Sequence, residues 1–232
     1  MTFKSDLQRD VKAIFSSEWK KRDGRVVPEP KDLSLGNDAV ELDAAVLYAD
    51  MADSTDLVDK HEASFAAEIY KTYLLCAARI INNQSGTITA YDGDRVMAIF
   101  LGDNKETSAV RTAMKISYAV QKIINPLLKE QYPGKAYRLE HVIGVDASKL
   151  FAARTGIRND NDLVWVGRTA NYAAKLCSRN GEHPIYITKR IFEAMSEKTK
   201  YGGENHTLMW EKEAWTERKN MIIYGSKWWW EV

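Results

Sequence analysis

The stretch LDAAVLYADMADST, residues 42–55, decides how the rest of the chain is read. Its first nine residues, through Asp50, are almost continuously apolar and end on an acidic side chain. A short apolar run closed by turn residues is the pattern of a buried strand. Ser54 or Thr55 then offers an N-cap for a helix over 55–83, whose Leu57, Phe65, Ile69, Tyr73 and Ala77 keep helical spacing. The turn Met51-Ala52-Asp53-Ser54-Thr55 therefore leads from strand to helix, and free backbone N–H groups at a helix start suit a phosphate chain.

Downstream, GTITAY (86–91) and RVMAIFL (95–101) read as strands joined through Asp92, Gly93 and Asp94, a tight hairpin. A long helix over 104–130 follows, with Pro126 placed to kink its end. YRLEHVIGVD (137–146) reads as the next strand, with a further short strand at 149–154. LVWVG (163–167) is a strand, TANYAAKLCS (169–178) a helix, HPIYIT (183–188) a strand and 188–197 a short helix. The tail MIIYGSKWWWEV carries three adjacent tryptophans on a strand, of which at least one should be covered. The order β-α-β-β-α-β with added αβ units predicts an α+β fold: a ferredoxin-like antiparallel sheet with helices on one face.

Upstream, Phe3, Leu7, Val11, Ile14, Phe15 and Trp19 predict an amphipathic helix over 3–21. Residues 22–40 hold Gly24, Pro28, Pro30 and Gly36 with few apolar residues and read as a linker. The chain thus divides into 1–40, a helix and linker free to pack on a second subunit, and 41–232, the main domain with a C-terminal strand extension.

Composition narrows the function. The chain has 232 residues, with 33 Lys plus Arg against 32 Asp plus Glu, a net charge of +1. That balance speaks against nucleic-acid coating and polybasic membrane binding. Hydrophobic residues at 45% and charged residues at 28% are ordinary for a globular protein. No segment approaches the ~20 apolar residues that span a bilayer, and the charged N-terminus lacks a signal core. Two cysteines, Cys76 and Cys177, form neither a disulfide framework nor a metal pair. A reducing, cytoplasmic location is expected.

Two carboxylates draw attention. Asp50 closes the first strand and Asp94 sits in the hairpin between its expected neighbours, so both can converge at one sheet edge. Hard cations such as Mg²⁺ take a few carboxylate oxygens and complete their shell with phosphate and water. Asn171 and Lys175, four apart, share a helix face and could hold a ribose and a phosphate. Taken singly, each feature also fits a solvated turn or a solvated helical stripe.

Together, LYADMADST, AYDGDRVMAIF and WVGRTANYAAKL resemble the three ordered motifs of class III nucleotide cyclases, the adenylate and guanylate cyclase catalytic domain. The resemblance spans about residues 42–195. It implies that Asp50 and Asp94 bind two Mg²⁺ or Mn²⁺ ions per site, that Asn171 orients the ribose, and that position 175 meets charge on the α-phosphate. It implies a nucleoside triphosphate substrate and a head-to-tail homodimer with both sites at the interface. Tyr48, Met51, Ser54, Thr55, Ala90, Val164 and Arg168 become the substrate-binding candidates.

Departures from the family pattern carry information. Purine-using members have a lysine where this chain has Ala90, and an acidic or small polar residue where it has Val164. The transition-state arginine is replaced by Lys175, which keeps the charge but loses the two-pronged fork. Arg95, following Asp94, is placed to supply what Lys175 lacks. Tyr48 and Arg95 are bulkier than usual and suit a smaller ring. That set resembles the pyrimidine cyclases of bacterial Pycsar antiphage systems, which make cyclic CMP or cyclic UMP for a separate effector. CTP and UTP differ by an inverted donor and acceptor that an Asn, Gln, Arg or backbone group can read. The alternatives are a purine cyclase and a non-catalytic nucleotide-binding module. The absence of a GG[DE]EF run speaks against a diguanylate cyclase.

Asp53 and Asp92 read as turn residues, and His141 and His183 as structural. Cys76 and Cys177 read as small buried hydrophobes. Arg168, at a helix start, could reach a phosphate or a partner chain.

Overall fold

The computed structural model describes residues 2–232. Its central strand is the decisive stretch. After helix α1 (Phe3–Ser16) and strand β1 (Lys20–Asp23), β2 (Asp38–Met51) runs through the middle of a nine-stranded sheet. Its residues alternate between two apolar clusters: Leu42, Ala44 and Val46 enter one, and Ala45, Leu47, Ala49 and Met51 the other. A strand buried on both faces reads as a continuous apolar run, which is why 42–50 shows no alternation.

The elements that follow are α2 (Ser54–Lys60), α3 (Ala63–Asn83), β3 (Thr87–Asp92), β4 (Arg95–Phe100) and α4 (Lys105–Tyr118). A π-helical turn (Ala119–Ile124) joins α4 to α5 (Asn125–Gln131). It lies where Pro126 withholds the N–H that would close on the Lys122 carbonyl, so the expected helix runs on with a π turn before its end. Next come β5 (His141–Ile157), β6 (Asp160–Val166), α6 (Arg168–Cys177), β7 (Ile185–Thr188), α7 (Lys189–Ala194) and α8 (Glu197–Lys200). β8 (Tyr201–Gly202) and β9 (Thr207–Leu208) form a separate ladder, and β10 (Glu211–Trp215) with β11 (Met221–Ser226) extends the main sheet.

The sheet order is β10-β11-β7-β5-β2-β4-β3, with β1 beside β2 and β6 beside β5. Its β5-β2-β4-β3 portion is the expected ferredoxin-like core. Helices, however, cover both faces. The α3 and α4 side chains pack with Ala45, Leu47, Val96 and Phe100, whereas Ala170 and Ala173 of α6 pack on Val46, Met97 and Leu150. Placing all helices on one face was wrong, and the reason is the two-sided burial of β2.

Other expectations shift locally. The N-terminal helix stops at Ser16, and residues 20–23 pair in parallel with 38–41 as a strand rather than forming helix or linker. Residues 55–83 are two helices, broken at His61 and Glu62, and the N-cap of the first is Asp53 in a left-handed conformation, not Ser54 or Thr55. Residues 149–154 belong to the same 17-residue strand as 141–146. The tryptophan run lies beyond β11, not on a strand. Trp230 packs on the core and its main-chain N–H donates to the Met114 carbonyl, while Trp229 meets Tyr118 and Lys122 of the helix beneath. Among the described residues, no helix is long and apolar enough to cross a membrane.

Candidate active site

Strand parity places the acidic half of the site. Asp50 follows Val46 and Tyr48 onto the α6 face of β2, and Arg95 shares that face of β4 with Met97 and Ile99. β3 and β4 are joined by a two-residue turn, Gly93-Asp94, between the cross-strand pair Asp92 and Arg95. Gly93 has φ +61°, a conformation that glycine adopts without cost. The turn lifts Asp94 beside the end of β2, close enough that its charge acts on Asp50. The two carboxylates thus converge at one sheet edge.

Their environments differ. Arg95 Nε donates to Asp50 Oδ2 at 3.0 Å, and Nη2 of the same guanidinium stands 2.9 Å from that oxygen as an ion pair. Burial pushes the Asp50 carboxyl above its ordinary range; Arg95 opposes that shift and Asp94 adds to it. Tyr73, fully buried on α3, donates its hydroxyl to the Asp50 carbonyl at 3.2 Å. In contrast, Asp94 Oδ2 is buried and has no hydrogen-bond partner among the described residues. A partially desolvated carboxylate pair with one orphaned oxygen is what a small divalent cation would satisfy. Among the described residues, no group of three His, Cys, Asp or Glu side chains forms a closed metal cage. A cation here would rest on two carboxylates and take further oxygens from phosphate and water, so Mg²⁺ or Mn²⁺ fits the donor set.

The second half of the site lies on α6. Thr169, Ala170, Ala173, Leu176 and Cys177 face the sheet, and Asn171 and Lys175 are exposed on the outer side. The helix is pressed close: a Cβ on Gly144 would stand 2.1 Å from the Ala173 carbonyl and 2.6 Å from the Cys177 nitrogen. Thr169 Oγ1 donates to the Asp146 carbonyl at 2.7 Å, which fixes the other end of the helix. Cys177, donating to the Val142 carbonyl at 3.2 Å, is a buried thiol whose ionisation is pushed well up by burial and the Asp50 charge.

Lys175 opens onto a cleft of about 460 Å³ shared with Arg179, Arg218, Trp215 and Glu217, in which Arg179 is paired with Glu213 and Glu217 at 3.3 and 3.6 Å. Both guanidinium groups have a buried, unpartnered Nε. Arg179 and Arg218 escaped sequence reading, although Asn171, Lys175 and Arg179 sit at four-residue steps. Tyr73 escaped because its spacing reads only as core.

The remaining predicted residues scatter. Tyr48 is half-buried on the Asp50 face. Met51 is buried toward α3, so its side chain does not enter the site; its backbone N–H serves the Asp50 carboxylate. Ser54 and Thr55 open α2 behind Asp53. Ala90 is exposed near the hairpin tip, after a bulge in β3. Val164 is exposed on β6 opposite Ala153, whereas Asp50 pairs with Val142 of the same strand β5. Eleven residues of strand separate those two partners, about 35 Å at ~3.3 Å per residue. Within one chain, Val164 and Ala90 cannot meet. Arg168 is already engaged, 3.5 Å from the buried Asp146 carboxylate and over the Tyr172 ring. His141 bonds Ser117 at 2.8 Å, and His183 lies between Glu213 and Glu211.

No family model matches the chain. A uridylate cyclase from Xanthomonas perforans is 46% identical over 233 residues, covering 100% of both chains. A uridylate cyclase from Burkholderia cepacia is 46% identical over 234 residues, again 100% of both. Among solved structures, an adenylyl cyclase from P. aeruginosa superposes with a TM-score of 0.68 over 81% of this chain and 95% of that one. At 20% sequence identity, that likeness carries the fold alone.

Proposed function

The chain belongs to the uridylate cyclase family, and from that premise we propose that it converts UTP to 3′,5′-cyclic UMP and pyrophosphate at a metal-dependent site shared between two copies. The observation that carries this reading is the division of the site. The carboxylates Asp50 and Asp94 stand at a sheet edge, and Asn171 and Lys175 point outward from the far side of α6. A head-to-tail homodimer brings the carboxylates of one copy to the α6 face of its partner, and it also lets Val164 approach Ala90 across the interface.

The chain's own residues divide the work. Asp50 and Asp94 would hold two Mg²⁺ or Mn²⁺ ions, which would supply Lewis acidity toward the ribose 3′-hydroxyl and the phosphates. Asn171 fixes the ribose so that its 3′-oxygen lies in line with the α-phosphorus, the positioning that makes such a displacement effectively unimolecular. The 3′-oxygen forms a bond to the α-phosphorus, the bond from that phosphorus to the α–β bridging oxygen breaks to release pyrophosphate, and the 3′-hydroxyl proton passes to solvent water. Lys175 meets the charge that grows on the α-phosphate, with Arg179 and Arg218 beside it for the departing pyrophosphate. Tyr48 and Arg95 narrow the base end toward a single ring, and neither Ala90 nor Val164 offers a side-chain hydrogen bond to a purine edge.

The remaining assignments rest on the family resemblance. Cyclic UMP acts on a separate cyclic-nucleotide-responsive effector in antiphage defence, and the enzyme works in the cytoplasm.

The test is incubation with ATP, GTP, CTP and UTP separately in Mn²⁺, with products resolved by chromatography and mass. Cyclic UMP from UTP alone is expected. Cyclic CMP retains a pyrimidine cyclase and changes the base. Cyclic AMP or GMP overturns the reading of Ala90 and Val164. No product from any of the four, with the dimer verified, makes the chain a nucleotide-binding module.

A further inference from the structure

Asp50 and Asp94 are not equivalent in this chain. The hydrogen bond and the ion-pair contact that Arg95 makes to a carboxylate both go to Asp50 Oδ2, and neither reaches its immediate neighbour Asp94, whose Oδ2 is buried and unpartnered among the described residues. The arrangement is built into the strands. Arg95 starts β4 on the same sheet face as Asp50, beside the register pair Tyr48 and Met97, so its stem is directed along the sheet toward the end of β2. The pair is mostly shielded, with side-chain exposures of 31% for Arg95 and 15% for Asp50.

We propose that Arg95 is a metal surrogate: its guanidinium occupies Asp50 in the cation-free protein and has to leave when a divalent cation binds, so Arg95 sets the cation affinity of the site. The inference rests on the assignment of Asp50 as a cation-binding carboxylate made above. The guanidinium and a cation compete for one oxygen. A shielded guanidinium that donates to Oδ2 and pairs with it as an ion satisfies the oxygen that a cation needs, and two cationic groups cannot crowd the same oxygen without strong mutual repulsion at low effective dielectric. Without Arg95, two neighbouring carboxylates would face each other with no positive charge between them, at a cost to the cation-free fold. Arg95 therefore stabilises the empty site and weakens cation binding.

The test needs no turnover. Mn²⁺ binding to the full chain is measured from the free-ion electron paramagnetic resonance signal without nucleotide, and thermal melts are recorded in EDTA and in Mn²⁺. Arg95→Gln is expected to bind Mn²⁺ about tenfold more tightly than the unaltered chain. It should melt lower in EDTA and gain more from Mn²⁺. Arg95→Lys keeps the charge but loses the fork, and is expected to fall between the two; it carries the test if the glutamine variant does not fold. Equal or weaker Mn²⁺ binding by the folded variants overturns the proposal. Asp50→Asn separates the two levels of inference. If it abolishes Mn²⁺ binding while Arg95→Gln changes nothing, the surrogate role fails alone. If it binds Mn²⁺ as the unaltered chain does, Asp50 is not a cation-binding group and both readings fall.

Discussion

The hydroxyl of Tyr73 donates to the main-chain carbonyl of Asp50 at 3.2 Å, from a ring that is completely buried on the opposite face of the sheet from the Asp50 carboxylate. A residue that reads as ordinary helix core thus anchors the strand end that carries the Asp50 carboxylate. Tyr73→Phe keeps the packing and removes only the bond, so a loss of about 1 kcal/mol is expected. Urea melts measure that loss. Cyclase assays should show kcat falling with little change in KM, because a loosened strand end disturbs the reacting groups more than nucleotide binding.

Asp50→Asn and Asp94→Asn should both abolish product yet differ in stability. The first leaves Arg95 without its carboxylate in a partly shielded site, at a cost of about 1–2 kcal/mol once solvent screening is allowed for. The second removes a like charge from beside Asp50 and costs the cation-free fold nothing. Paired melts in EDTA and product assays in Mn²⁺ check both halves. Equal melting temperatures for the two variants contradict the asymmetry.

Gly144→Ala tests the seating of α6. Its Cβ would stand 2.1 Å from the Ala173 carbonyl, so the helix must lift. Overpacking of this kind costs about 1–3 kcal/mol. Asn171 and Lys175 move with the helix, so turnover is expected to fall by at least about 10², as misplacement of positioning groups commonly does. A variant with normal turnover shows that α6 tolerates displacement.

The shared site makes a complementation prediction. Asp50→Ala and Asn171→Ala are each inactive alone, but a heterodimer of the two retains one intact site. Equal mixing after refolding should restore about a quarter of the unaltered activity, since half the dimers are mixed and each has one site of two. No recovery, with mixed dimers demonstrated, contradicts the head-to-tail arrangement.

His141 gives a pH signature. It is buried against Ser117, and burial lowers its pKa to about 4 from an ordinary 6.5. The unfolded chain therefore takes up a proton below pH ~6.5 that the folded chain refuses until pH ~4, and stability falls as pH drops through that window. At pH 5 the loss relative to pH 7 from this group alone is about 2 kcal/mol. His141→Gln should flatten that part of the profile; the difference between the two urea-melt profiles isolates the histidine from the neighbouring carboxylates.

Much of the fold was legible in the sequence because its signals are local. The apolar run before Asp50, the turn between β3 and β4 and the four-residue stripe of α6 depend on neighbours close along the chain, and these three stand where expected. What escaped depends on partners far along the chain. Residues 20–23 become a strand only because 38–41 lie alongside. Arg179 and Arg218 join Lys175 only after β10 and β11 fold back beside α6. Met51 was read as a site residue from its place in the motif, and strand parity turned its side chain the other way.

The sequence by itself determined the chemistry on offer: two carboxylates and an Asn–Lys pair, set in motifs whose order and spacing identify the family. Those are covalent facts, fixed by residue type and position. The tertiary structure decided which groups confront one another. Sheet parity put Arg95 on Asp50 and left Asp94 open; two-sided burial of β2 sent α6 to the face opposite α3 and α4; and the length of β5 held Val164 apart from Ala90 within one chain. Such relationships arise from burial and register across distant segments, which packing settles and no single stretch of sequence contains.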